Sequence, residues 1–169
     1  NKINEKNLKR LIIFLRKFSD IKIGIQLSHS GRKGSSYVPW VRSNFPLNKG
    51  KWETYAPSAI KRDKHWPIPT ELNLSQINKI KNDFLNAAKR ANRIGFDCLE
   101  IHMAHGYLLH QFFSKISNKR NDRYGGNLKK RVKLLIEISE AIRKIWPKKK
   151  ILGARISGSD RLEKGNDVE

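Results

Sequence analysis

The stretch Phe96-Asp97-Cys98-Leu99-Glu100-Ile101-His102-Met103-Ala104-His105-Gly106-Tyr107 decides how this chain folds. Alternate residues of a strand face opposite sides, so a strand over 96–103 turns Leu99 and Ile101 one way and Cys98, Glu100 and His102 the other. Gly106 suits a turn just past its end. Two further stretches read the same way. Over 21–27, Ile21, Ile23 and Ile25 oppose Lys22, Gly24 and Gln26; over 151–157, Leu152, Ala154 and Ile156 oppose Ile151, Gly153 and Arg155. Each strand thus has an aliphatic side and, near its carboxyl end, one polar residue on the other: Gln26, His102 or Arg155.

Helical periodicity separates the strands. Residues 5–18 place Leu8, Leu11, Ile12, Leu15 and Phe18 on one face. Ser75 can cap a second helix whose inner face is Ile77, Ile80, Phe84, Ala88 and Ala91, with Gly95 past its end. Asn127 can cap a third, with Leu128, Leu135, Ile138, Ile142 and Ile145 inward before Pro147 stops it. Residues 31–70 and 104–126 carry glycine, proline and aromatics without a period; the first is a forty-residue excursion, and loops of that length are usually functional. Helix and strand alternate without hairpin signals. The class is therefore α/β with parallel strands, either an open doubly wound sheet or a (β/α)8 barrel.

The 169 residues are 38% hydrophobic and 30% charged, which excludes collagen-like, low-complexity and disulfide-stapled classes. No apolar run approaches the roughly 18 residues needed to cross a bilayer. With the single cysteine Cys98 and no signal-peptide pattern, a cytoplasmic location is expected. The formal charge of +21 raises the question of nucleic acid, but the cations are spread along the chain and no aromatics interleave with a basic stripe. We read residues 1–169 as one partial domain truncated at both ends, since three strands supply under half the staves of a barrel that takes about 250 residues.

Gln26, His102 and Arg155 share a phase on three strands, which places them at one mouth, where barrels and open α/β sheets bind ligands. His105 can swing back beside His102 if the chain turns after Met103. Such a pair can bind a metal or donate to a single oxygen, and Tyr107 adds a hydroxyl protonated at neutral pH.

These residues sit within motifs that resemble the old yellow enzyme family of FMN-dependent ene-reductases, in its bacterial NADPH dehydrogenase and xenobiotic reductase branch. The motifs are Ile25-Gln26-Leu27-Ser28-His29-Ser30-Gly31-Arg32-Lys33, Trp52-Glu53-Thr54-Tyr55-Ala56-Pro57-Ser58-Ala59-Ile60, Gly95-Phe96-Asp97 and the run from His102 to Tyr107. Gln111-Phe112-Phe113-Ser114, the stretch from Asn118 to Gly126, and Ala154-Arg155-Ile156-Ser157 follow in family order. Ser114-Lys115 departs from the Ser-Pro of many members, and Asn127 from a Ser.

The resemblance implies a (β/α)8 TIM barrel of which this chain supplies about strands 3–5 and their helices, with FMN at the carboxyl mouth. It implies that Gln26 and Arg155 bind the cofactor, the former at the pyrimidine edge and the latter near N1 and the C2 carbonyl. It makes His102 and His105 the donors to a substrate oxygen and Tyr107 the proton donor. NAD(P)H is the implied electron donor, a small enone or nitro compound the implied substrate, and no metal is expected. A homo-oligomer is left open, and the segment alone is expected to be inactive. His29 is assigned to supporting the Gly31 loop, His65 and His110 to surface or packing, Cys98 to interior filling, and residues 118–126 to a loop bracing the site. Two other readings are a related flavin barrel enzyme of dienoyl-CoA reductase or amine dehydrogenase type, disfavoured by the intact histidine pair, and a basic nucleic-acid-binding module.

Overall fold

The computed structural model describes residues 2–167. Strands β1 (Gly24–Leu27), β4 (Cys98–Met103) and β5 (Ile151–Ile156) form one parallel sheet in the order β1-β4-β5. Helices α3 (Leu74–Ile94) and α6 (Lys133–Ile145) connect them, and α1 (Lys2–Leu15) precedes β1. This alternation is the expected α/β order, and the register sets the mouth. Gln26 lies opposite Glu100, and His102 lies opposite Arg155.

Local chemistry explains where the elements begin. The Asn73 side chain accepts from the Gln76 amide while the Gln76 side chain accepts from the Asn73 amide, both at 2.9 Å, a reciprocal capping box. The expected cap at Ser75 is therefore corrected to Asn73, because Ser75 lacks a reciprocating partner at that spacing. Gly95 closes α3 with φ 104°, a conformation other residues adopt only with strain. The expected face of Ile77, Ile80, Phe84, Ala88 and Ala91 is buried. It packs with Leu99, Ile101 and Met103 of β4 and with Leu134, Leu135, Ile138 and Ile142 of α6 into one core.

Three expectations for the helices are corrected. Helix α1 ends at Leu15 rather than 18, where the amides of Lys17 and Phe18 turn back to Phe14 and Leu15. Of its expected face only Ile12 is buried, while Leu11 and Phe18 are exposed. Asn127 does cap, accepting from the Lys130 amide, but the helix it starts is only α5 (Leu128–Arg131), set off from α6 at Val132. Leu128 is consequently 55% exposed. This first turn lies against the loop layer, where Arg131 donates to the carbonyls of Phe113 and Gly126.

The strands are shorter than expected. Asp97 lies before β4; its carboxylate accepts from the Ile23 amide at 2.9 Å and from Arg16 at 2.6 Å, pinning the entry to β1. Residues 21–23 approach the sheet through that side chain, so β1 begins at Gly24. In β5 the expected aliphatic side is only partly covered, with Leu152 half-buried and Ile156 exposed.

The two long loops hold more structure than their composition suggests. Within 31–70 are a 3-10 turn (Gly31–Lys33), the short helix α2 (Pro39–Arg42), and a parallel pair formed by β2 (Tyr55–Ala56) and β3 (Thr70–Glu71). Within 104–126 is α4 (Leu108–Phe113), almost wholly buried. Residues 118–126 brace these segments as expected. The Asn118 amide donates to the carbonyls of Phe112 and Tyr124, both at 2.7 Å, and the Lys119 amide donates to Ser58 Oγ. Buried Arg120 donates to the carbonyls of Pro57 at 2.8 Å and Leu72 at 2.6 Å while paired with Asp122. Gly125 is required there, since a Cβ would stand 2.1 Å from the Arg120 carbonyl oxygen.

Candidate active site

The sheet brings Gln26, Glu100, His102 and Arg155 to one face near the carboxyl ends of the strands, on two levels rather than one. The lower pair is Gln26 with Glu100 and the upper pair His102 with Arg155. Gln26 Nε2 donates to Glu100 Oε1 at 2.5 Å. This contact turns the amide's NH2 toward Glu100, so the Gln26 carbonyl oxygen is the end left to accept from another group.

His102 is buried and accepts the Ala104 amide on Nδ1 at 3.3 Å. The lone pair is therefore on Nδ1 and the neutral ring carries its proton on Nε2. Burial lowers its pKa below the ordinary imidazole value, and the neighbouring His105 and Arg155 lower it further. At neutral pH it is an uncharged donor.

After Met103 the chain reverses through His105 and Gly106, with φ 56° and 68°. The turn carries His105 back, as the spacing suggests: its ring centroid lies 5.0 Å from that of His102, edge to face. The Tyr107 ring is also 5.0 Å from His102, and the Lys33 ammonium lies 6.0 Å from the Tyr107 ring centre. Tyr107 caps α4, so the helix that follows sets its direction. Five of the residues singled out from sequence thus sit at one end of the sheet, three of them as a ring cluster.

The supporting residues divide between expected and missed. His29 accepts the Gly31 amide on Nδ1 at 3.0 Å, which is the loop-supporting role assigned to it. His65 stacks on Phe45. His110 is more than packing: its Nδ1 accepts the Gly106 amide at 2.7 Å and its Nε2 lies 2.8 Å from Asp160 Oδ1. Gln111, Lys33 and Asp160 were also missed, whereas Arg120 falls in the 118–126 segment expected to brace the site. A buried polar side chain on a six-residue helix gives no periodic signal; in the structure Gln111 packs against Gly31, where a Cβ would lie 2.5 Å from the Gln111 amide. A pocket of about 860 Å³ opens beside the cluster, bounded by Arg32, His105, His110, Ser157 and Arg161. Among the described residues no group of three or more His, Cys, Asp or Glu side chains is placed to hold a metal, and no helix is long and apolar enough to cross a membrane.

Parallel staves with connecting helices and a polar, imidazole-lined carboxyl end define part of a (β/α)8 barrel. Morphinone reductase in complex with tetrahydroNAD superposes over 98% of this chain and 47% of its own, with a TM-score of 0.79 and 26% identity. The chain belongs to the NADH:flavin oxidoreductase / NADH oxidase family, an FMN enzyme family whose profile matches residues 7–169. An NADH:flavin oxidoreductase of Gibberella zeae is 47% identical over 161 residues, covering 92% of this chain and 39% of that protein. An NADPH dehydrogenase of Clostridium acetobutylicum is 45% identical over 141 residues, covering 82% and 37%. The chain thus spans about two fifths of the length of these curated relatives.

Proposed function

We propose that this chain forms one wall of the active site of an FMN-dependent, NAD(P)H-driven ene-reductase that reduces activated C=C bonds of α,β-unsaturated carbonyl or nitro compounds. The observation that carries this reading is the His102, His105 and Tyr107 cluster, in which the His105 and Tyr107 rings each lie 5.0 Å from His102 at the carboxyl end of the parallel strands. Membership of the family supports the cofactor, and the side chains present fit it. The Gln26 carbonyl oxygen, left to accept, suits the N–H of a pyrimidine edge. The permanent cation of Arg155, one level above, suits a site where reduction places negative charge. When bound, FMN supplies the redox chemistry, taking reducing equivalents from NAD(P)H and passing them to the β-carbon of the substrate.

The protein's own part is polar and geometric. His102 and His105 donate to the carbonyl or nitro oxygen, polarising the conjugated bond and stabilising the charge that gathers on that oxygen. One well-placed donor of this kind is worth on the order of 3 kcal/mol in an activation barrier. Because the His102 pKa is lowered, chiefly by burial, its help at pH 7 comes from the dipole of an Nε2–H donor rather than from a formal positive charge. Tyr107 delivers the proton to the α-carbon, completing the addition of hydride and proton across the double bond; such general-acid help is worth roughly 10² to 10⁴ in rate.

The test is the double variant His102→Ala with His105→Ala in a barrel-length protein carrying this segment. Binding of a phenol such as 4-hydroxybenzaldehyde should weaken and enone reduction should fall strongly, while NAD(P)H still bleaches the flavin. Normal enone turnover in the double variant, followed by stopped flow, would overturn the reading.

A further inference from the structure

His105 holds a left-handed φ of 56° although it has a Cβ, and Gly106 follows at 68°. A non-glycine residue kept there costs on the order of 1 kcal/mol and persists only where the surroundings dictate it. Here they do so completely: side chains hold all four backbone polar groups of the dipeptide. The His105 amide donates to Ser157 Oγ at 2.9 Å, and its carbonyl accepts from Lys33 Nζ at 2.5 Å. The Gly106 amide donates to His110 Nδ1 at 2.7 Å, and its carbonyl accepts from Gln111 Nε2 at 2.7 Å. The clamps come from the loops after β1 and β5 and from α4, and Tyr107 follows the clamped pair directly.

The His110 clamp differs from the others because it works in only one protonation state. Accepting from Gly106 requires the lone pair on Nδ1, which leaves the proton on Nε2, the nitrogen facing Asp160 at 2.8 Å. Asp160 is itself fixed, its Oδ2 accepting from Ser114 Oγ at 2.9 Å and from the Asn166 amide at 2.7 Å. Both side chains are more than nine-tenths buried. We propose that His110, oriented by Asp160, is a positioning residue that holds the His105–Gly106 turn so that His105 and Tyr107 converge on one substrate. This rests on the ene-reductase reading for what converges, not for the clamp itself. Burial lowers the His110 pKa, Lys33 and His105 lower it too, and Asp160 opposes them, which keeps the ring neutral near pH 7.

Two substitutions separate the arms of the ring. His110→Asn leaves an oxygen near the Nδ1 position to accept the Gly106 amide. His110→Gln places its amide near Nε2, keeping a donor for Asp160 and leaving Gly106 without an acceptor. In the FMN-loaded, barrel-length protein, amide exchange of residues 104–108 should quicken about tenfold in His110→Gln, the loss of one buried hydrogen bond, and stay near wild type in His110→Asn. Flavin reoxidation by an enone should slow by about the same factor in the Gln variant only, with flavin reduction by NAD(P)H unchanged in both. Should the Gln variant fail to fold, His110→Leu serves instead, since it also leaves the Gly106 amide without its acceptor and should give the same pattern. Equal exchange and equal reoxidation in the Asn and Gln variants would overturn the proposal. If wild type itself fails to reduce the enone, the functional reading fails, and the exchange measurement still decides the role of His110.

Discussion

The helix layer beneath the sheet and the loop layer above it are held by different physics. Below, Ile77, Phe84, Ala88, Leu134, Ile138 and Ile142 exclude water from the backs of Leu99 and Ile101. That attraction is nondirectional, and any residue of suitable size tends to serve. Above, Arg120, Gln111, Asn118 and His110 are buried polar side chains whose partners are mostly backbone groups of the loops around them, a few residues away for three of them and 48 away for Arg120 with Leu72. Those contacts are directional, and removing one leaves its partner stranded. The chain can vary its core conservatively, whereas its loop layer depends on particular atoms.

The comparison is most exposed at Arg120. Arg120→Ala should destabilise a barrel-length protein by about 4 kcal/mol, read from the urea midpoint, because the Pro57 and Leu72 carbonyls lose their donor in a buried place. A loss below that of a core truncation would remove the distinction. Ile138→Ala should cost about 3 kcal/mol by transfer and cavity terms, and Ile138→Val much less, a graded response that the loop layer should not show.

Acid should act next. His29, His102 and His110 all have pKa values lowered chiefly by burial, so between their folded values and the ordinary value near 6.5 the unfolded chain binds more protons. Their contribution to stability is present above that range and lost as pH falls through it. The urea midpoint should drop between pH 7.5 and 5.5, and exchange protection should fail first in residues 104–111; a flat profile would show that the imidazoles ionise equally in both states. Smallest of all, Leu128→Ala should change stability by under about 0.5 kcal/mol, since a half-exposed leucine on a four-residue helix excludes little water.

That last site marks the boundary of what periodicity encodes. Helix α3 is legible because every inward residue meets a continuous apolar surface, so a period of 3.6 is enough. Leu128 fits the same period but falls on α5, where the helix rests on loops, and the pattern cannot report what lies beneath it. The strand phases were legible too, and with them Gln26, His102 and Arg155, because a parallel register carries alternate side chains to one face. Alternation did not show the two levels, which depend on which residue pairs with which across the sheet. The clamps of the loop layer were illegible for two reasons: Lys33 meets His105, and Arg120 meets Leu72, across separations of 72 and 48 residues that no local pattern spans, while His110 and Gln111 reach Gly106 from four and five residues away through a turn that periodicity does not describe.

The excursion between β1 and α3 is tied down unevenly. Its beginning is seated by Gly31 against Gln111, and its far part by Pro57, Ser58 and Leu72 on Arg120 and Lys119. The intervening tip closes on itself through the Ser36–Pro46 bridge and rests on the anchored far part through Asn44 on Arg62 and Phe45 on His65, and it leaves Trp40 84% exposed. Residues inserted or deleted between Val38 and Ser43, all exposed, would therefore lengthen or shorten an overhang without shifting either anchor, at an entropic cost that grows only slowly with length. Tips of different length can in this way be carried on the same two anchors, so length is the property of this segment that the rest of the fold constrains least.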